Sequence, residues 1–389
     1  MPFEEEQMKF LVAADCHLWP ITKRLATRTP DGETQIMTGD SFYAFQQLAE
    51  YAGANDLPII LAGDTIEEGE RGGVSECLRF MSDQLTKNKV KLVLYVVGSH
   101  DSSRTTGLDD NPPWLSHLAG IETVHLAQGV WCQKDIRIAG IDAQRTPADF
   151  AAELERVKKD IGNLDVLIIH QGAKELLPFE NASETSFAEL DGAAKLVISG
   201  HVHKMVYEAI SDGTDFLSPG SLVSTQSNEE PKKLAHILEI TKYAVTLVGH
   251  IEISNRPRFV RLAITEEEKA ETLAFMKEYE LSDDLPKDVR WPLLSVRYTP
   301  TGGFFNEMMA AAHEKFYVNA TPCPTVAEQI QQPGFADDDG SVLRIIDKHI
   351  TKDTDAHRLV AELLTVQGAV PTEVVSRHVD QIIHGGALS

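Results

Sequence analysis

The sequence predicts a layered α/β fold over residues 9 to about 250, and three observations carry that expectation. Short apolar runs recur along the chain: KFLVAAD, LPIILAGD, KLVLYVVGS, VLIIHQG and KLVISGHVH. Amphipathic stretches such as SFYAFQQLAEYAGA and GVSECLRFMSDQLTKN separate several of them. Each run closes on Asp, Gly, Ser or His. Buried strands alternating with amphipathic helices stack as layers. Polar residues gathered at the C-terminal ends of strands stand where open α/β sheets bind their ligands.

Further along, WCQKDIRIAGID reads as a hairpin and FLSPGS as a strand running into a Pro-Gly turn. A boundary falls near Ser254 to Pro257. Beyond it, TEEEKAETLAFMKEYE is a charged helix, WPLLSVRYTPTGGFF a strand closing on a Gly-Gly turn, and NEMMAAAHEKFY another helix. Together they make a small α/β domain. The acidic, glycine-bearing GFADDDGS (Gly334 to Ser341) reads as a linker. Three helices are expected after it: SVLRIIDKHI, DAHRLVAELLTVQG and PTEVVSRHVDQIIHGG. Their apolar residues recur at helical spacing, Pro371 suits a first helical position, and Gly385 suits a C-terminal stop. So small a segment cannot bury three apolar stripes by itself, so it is expected to dock on another surface.

At 389 residues, with 42% hydrophobic and 24% charged residues, the chain has the composition and length of two or three globular domains. No run approaches the roughly 18 apolar residues of a membrane span. The acidic start MPFEEEQMKF lacks the apolar core of a signal peptide. Cys16, Cys77, Cys132 and Cys323 lack paired spacing, which fits free thiols in a reducing, cytoplasmic compartment. A net charge of −23 argues against tight, nonspecific nucleic-acid binding. That charge sets only the far field, however; bound dications or a local arginine cluster set the near field.

Five strand ends carry hard or borderline metal ligands in order. These are Asp15 and His17 in ADCH, Asp64 in AGD, the GSHD loop, His170 in IIHQG, and His201 with His203 in SGHVH. His-x-His places both imidazoles on one face of an extended chain. Mixed carboxylate and imidazole ligands suit Mn, Fe or Zn better than Mg or Ca. Convergence of these ends would hold two cations, and a bridging carboxylate at Asp64 would keep them roughly 3.5–4 Å apart.

The order DxH, GD, GSHD, single His and GHxH resembles the calcineurin-like metallophosphoesterases, whose third block reads GNHD. The resemblance implies a β-sandwich flanked by helices. It assigns Asp15, His17, Asp64 and His203 to a first metal, and Asp64, His170 and His201 to a second. An Asn oxygen normally adds to the second at the position of Ser99. His100 takes the place of the catalytic histidine and Asp101 that of the carboxylate orienting it. More specific stretches, VLIIHQG, SGHVHK, FLSPGSLVSTQSNEEPKKLAHILEI, NRPRFVRL and WPLLSVRYTPTGGF, resemble the SbcD-type nucleases of double-strand-break repair, over about residues 8–310. That branch implies two Mn²⁺ ions and double-strand exonuclease and single-strand endonuclease activity. It also implies a partner, an SbcC-type SMC-like coiled-coil ATPase, and a homodimer built on the helices of residues 41–54 and 72–88. The domains expected from it are a nuclease domain over 1–254, a DNA-capping α/β domain over 255–335, and a linker with helical ATPase-binding domain over 336–389.

Ser99 departs from the pattern. Its hydroxyl is shorter than an amide, so the second metal is expected to lose a direct ligand and turnover to fall, with the site still functional. Arg256, Arg258, Arg261 and Arg297 suggest a strip that contacts DNA phosphates. The alternative is that these arginines pair with the neighbouring EEE run. Two other readings of the whole chain remain open: a different metallophosphodiesterase or phosphatase, or a binding scaffold whose phosphoesterase site has decayed.

Overall fold

The computed structural model describes residues 7–28, 34–38, 40–67, 71–101, 114–177, 184–225, 229, 232–287, 289–300, 303–313 and 315–323. In chain order these form β1 (Gln7–Ala13), β2 (Ile21–Arg28), β3 (Thr34–Thr38), α1 (Asp40–Ala54), β4 (Ile59–Ala62), α2 (Arg71–Lys87), β5 (Leu92–Val96) and β6 (Glu122–His125). Next come β7 (Trp131–Gln133), β8 (Ile136–Ile141), α3 (Pro147–Asp160), β9 (Val166–Ile169), α4 (Phe187–Leu190), β10 (Leu196–Ser199), β11 (Val206–Ser211) and β12 (Thr214–Ser218). The remainder are β13 (Lys233–Thr241), β14 (Val245–Ile253), β15 (Arg258–Ala263), α5 (Glu266–Glu278), β16 (Leu293–Tyr298), α6 (Phe304–Ala312) and β17 (Tyr317–Pro322).

Two six-stranded mixed sheets carry the larger part, in the orders β14-β13-β1-β4-β5-β6 and β11-β12-β10-β9-β8-β7. The parallel runs are β1-β4-β5-β6 in the first sheet and β8-β9-β10-β12 in the second. Antiparallel strands occupy the flanks. Strand alternation explains why the runs are apolar throughout. Phe10, Val12, Ile60, Leu94 and Val96 of the first sheet meet Ile138, Val166, Ile168, Ile198 and Leu217 of the second. The intervening residues Leu11, Ala13, Leu61, Val93 and Tyr95 face Phe45, Leu48, Cys77 and Met81 of α1 and α2. On the other side Leu167, Ile169 and Val197 face Phe150, Leu154 and Val157 of α3. A strand buried on both faces has no polar side to show. The result is a β-sandwich flanked by helices, with β7–β8 forming the expected hairpin.

Local chemistry sets several boundaries. Pro147 starts α3, and Thr146 caps it by accepting the Asp149 N–H at 3.2 Å. In TEEE, the Thr265 hydroxyl accepts from Glu268 N–H while the Glu268 carboxylate accepts from Thr265 N–H, a reciprocal cap on α5. The β2–β3 hairpin carries none of the apolar pattern that marks the other strands and was not expected.

Contacts divide the chain into two compact units. The described residues of the first fall within 1–259, 280–294 and 314–319. Those of the second fall within 260–279, 295–313 and 320–323. Within the second, Arg261 lies over the Phe275 ring at 4.3 Å, and Tyr298 packs against Phe304 and Phe305. The third sheet has the order β15-β16-β17. The strand and the two helices anticipated beyond Pro257 are β16, α5 and α6. The linker of residues 334–341 and the three helices expected after it lie outside the described residues. Among those described, no helix is long and apolar enough to cross a membrane. All four cysteines are free.

Candidate metal centre

The five ligand-bearing loops leave the C-terminal ends of β1, β4 and β5 in one sheet and of β9 and β10 in the other. Parallel pairing sends the ends of each set out of the same edge. Hydrogen bonds join the two edges: His201 N–H donates to both Asp15 oxygens at 3.1 Å, and His170 Nδ1 donates to the Ala62 carbonyl at 2.8 Å.

The backbone is strained where the candidate ligands sit. Asp15, His17, Asp64 and His201 have φ of 50°, 42°, 46° and 79°. Non-glycine residues rarely adopt such angles, and they gather at functional sites. Gly63, Gly98 and Gly200 precede Asp64, Ser99 and His201. A methyl group would strike the His170 ring at Gly63, Asp64 at Gly98 and the Ala62 carbonyl at Gly200. The glycines let the ligand loops approach one another.

Two groups of side chains result. Asp15, His17 and His203 bring one ligand atom each within 4.8 Å of the others, and so do Asp64, His170 and His201. A third group on the same criterion is His17, Glu67 and His100. His17 Nε2 and His203 Nε2 stand 3.2 Å apart, and His203 Nε2 lies 3.6 Å from Asp15 Oδ1. His170 Nε2 lies 3.1 Å from Asp64 Oδ2.

These contacts test whether the residues suit a metal. His17 Nδ1 faces Glu67 Oε2 at 2.6 Å and His203 Nδ1 faces Glu229 Oε1 at 3.0 Å. A nitrogen facing a carboxylate carries the proton, so in the neutral rings both Nε2 atoms present lone pairs to each other. A cation between them relieves that opposition. His170 differs, with Nδ1 donating to a carbonyl and Nε2 aimed at a buried carboxylate whose place beside it a cation could take. Burial lowers the His170 pKa, but Asp64 and Asp15 outweigh it and raise it to about 10. Asp64 is the counterpart: burial raises its pKa, and His170, His17 and His100 carry it well below the usual carboxylate range. The pocket attracts positive charge strongly, and its donors suit Mn, Fe or Zn.

The outer residues were less legible. Glu67 and Glu229 carry no motif, yet each fixes a histidine. Burial raises both their pKa values, and the surrounding hydrogen bonds more than reverse it. Glu67 lies three residues past Asp64, a spacing that could have drawn attention to it. NEEP offers two adjacent glutamates, and sequence alone does not select Glu229. Asp101 requires a correction. Its oxygens accept from Ile66 N–H and Gly98 N–H, both at 2.8 Å, so it caps the loop backbone. The carboxylate beside the His100 ring is Glu67, 3.2 Å from Nδ1. Burial, then Asp64, raises the Asp101 pKa to about 7. Ser99 Oγ lies 3.3 Å from Asp64 Oδ2, and His100 N–H donates to Asp64 Oδ1 at 2.7 Å.

The arginine strip is also corrected. Arg256 is only 2% exposed, with Nε 3.0 Å from Asp40 Oδ1 and its guanidinium over the Tyr317 ring. A buried carboxylate at the start of α1 takes that arginine as counter-charge, which removes it from any phosphate-contacting surface. Arg258 is half-buried and donates to the Ser224 carbonyl at 2.9 Å. Arg261 is half-buried, and Arg297 is exposed.

A profile of the calcineurin-like phosphoesterase superfamily domain matches residues 8–242. The crystal structure of a dimetal phosphatase from Danio rerio aligns with 11% identity and a TM-score of 0.38, over 64% of this chain and 98% of that one. A search of curated proteins finds no match. With more than half its length matched, and with the superfamily's ligand blocks gathered at one edge of the sandwich, this chain belongs to the calcineurin-like phosphoesterase superfamily.

Proposed function

We propose that this metallophosphoesterase is a Mn²⁺-dependent DNA nuclease of the SbcD type, cutting duplex ends and single strands together with an SMC-like coiled-coil ATPase. The observation that carries the hydrolase chemistry is the pair of ligand groups, Asp15–His17–His203 and Asp64–His170–His201. The choice of DNA rests on the sequence stretches shared with that nuclease branch, which continue into β15 and β16 past the phosphoesterase domain. Divalent cations, if held there, would lower the pKa of bound water and polarise a phosphate.

The chain's own groups do the rest. Glu67 Oε1 lies 3.2 Å from Nδ1 of the half-buried His100 ring, on the side away from the edge offered to substrate. From there His100 donates a hydrogen bond or proton to the leaving oxygen. Asp101 holds the GSHD loop in place through its two backbone hydrogen bonds. Arg258, Arg261 and Arg297 are the remaining candidates for DNA phosphates. The helices expected within residues 336–389 are assigned to the ATPase, and α1 and α2 to a homodimer.

A substrate panel with Mn²⁺ tests the reading. Cleavage of a duplex DNA end, with a cyclic nucleotide and a phosphopeptide left intact, is expected; preference for the phosphopeptide would make the chain a phosphatase. Removing residues 341–389 should abolish association with the ATPase while Mn²⁺-dependent hydrolysis of a chromogenic phosphodiester persists. The opposite pattern would refute the assignment of the tail.

A further inference from the structure

The carboxylate behind His203 does not stand alone. Glu229 Oε2 accepts from Lys233 Nζ at 2.8 Å and from Ser221 Oγ at 3.2 Å. Glu229 Oε1 accepts from Thr225 N–H at 3.1 Å and Thr225 Oγ1 at 2.9 Å, and faces His203 Nδ1 at 3.0 Å. Lys233 Nζ donates as well to Ser221 Oγ at 2.8 Å. Lys233 opens β13 and is 3% exposed. Taking an ammonium and a carboxylate out of water is unfavourable, and a buried pair is weak evidence of a gain in stability. The pair has another use here. With four donors already on it, Glu229 is held in one position and one orientation, aimed at the ring nitrogen that the metal would not use.

We infer that the buried Lys233–Glu229 pair is a positioning device for His203 that sets the metal affinity of the Asp15–His17–His203 group and leaves that of the Asp64–His170–His201 group alone. The inference rests on reading these groups as a metal centre. It assigns Glu229 two effects. The carboxylate keeps the proton on Nδ1, so Nε2 offers its lone pair, and its negative charge makes that lone pair a better donor. Lys233 supplies the counter-charge that keeps the carboxylate ionised and fixed. In the second group, among the described residues, His170 Nδ1 is held by a neutral carbonyl rather than a carboxylate. The two groups therefore differ in kind, and the first should be the tighter.

The test separates the two groups by removing one ligand at a time. Mn²⁺ binding to the full chain is measured by titration calorimetry and electron paramagnetic resonance. The His170→Ala background isolates the first group and the His17→Ala background the second. Glu229→Gln, close in shape and without the charge, is added to each. A loss of roughly 10- to 100-fold in the first background, with less than twofold change in the second, is expected. Lys233→Met should weaken the first group in the same direction. Equal weakening in both backgrounds would show a general loosening of the fold and overturn the inference, as would no change in either. If the unsubstituted chain takes up no Mn²⁺, the metal-centre reading itself fails; two bound ions with an indifferent Glu229→Gln would sink the positioning role alone.

Discussion

Ser99 is the one residue in the five motif blocks that departs from the superfamily pattern, and the structure gives its departure a scale. The hydroxyl reaches Asp64 at 3.3 Å and so stands at the rim of the second ligand group. Ser99→Asn should tighten the second site and raise turnover about tenfold, in line with the sensitivity of metal surroundings to one hydrogen-bonding group. Two equally tight Mn²⁺ sites in the unsubstituted chain would contradict this account of Ser99. His170 adds a pH dependence. Without metal its imidazole holds a proton up to about pH 10, so metal uptake at neutral pH must displace that proton. Mn²⁺ affinity should therefore rise with pH between 6 and 8, by about one proton released per ion at this group. Calorimetry in buffers of differing ionisation enthalpy measures that proton directly, and a pH-independent affinity would exclude it. The residues of the two candidate ligand groups were legible because each follows a strand end in a short fixed motif. Glu67, Glu229 and Lys233 were not, because hydrogen bonds between residues far apart in sequence leave no local pattern.

At the level of elements, the strands were legible for a physical reason. Residues such as Leu11 and Val12 face opposite layers, and both layers are apolar. The α5 helix was legible as a charged stretch, and the structure adds that the threonine and third glutamate of its TEEE start form a reciprocal cap. The β2–β3 hairpin was missed because its strands, ITKRLATR and TQIMT, carry no regular apolar alternation. Glycines before ligands make a further prediction. A Cβ at Gly200 meets the Ala62 carbonyl and the His170 ring, so Gly200→Ala should destabilise the fold by about 1–3 kcal/mol and displace the His201 loop. Gly129→Ala, where nothing lies within 4 Å, should stay within about 0.5 kcal/mol. Urea unfolding of the two variants checks both; equal stabilities would remove the crowding argument.

For the whole molecule the net charge of −23 dominates the far field. The arginine strip that was to offset it is thinner than the sequence suggested, since Arg256 answers Asp40 inside the larger unit. If DNA is the substrate, binding by this chain alone should be weak and should fall steeply as salt rises, because few phosphate contacts compete with a like-charged surface. Tight binding that ignores salt would contradict that picture. The most direct test of the account is anomalous scattering from crystals soaked in Mn²⁺. Two peaks are expected, one among Asp15, His17 and His203 and one among Asp64, His170 and His201; the absence of any ion between Asp64 and His203 would contradict it.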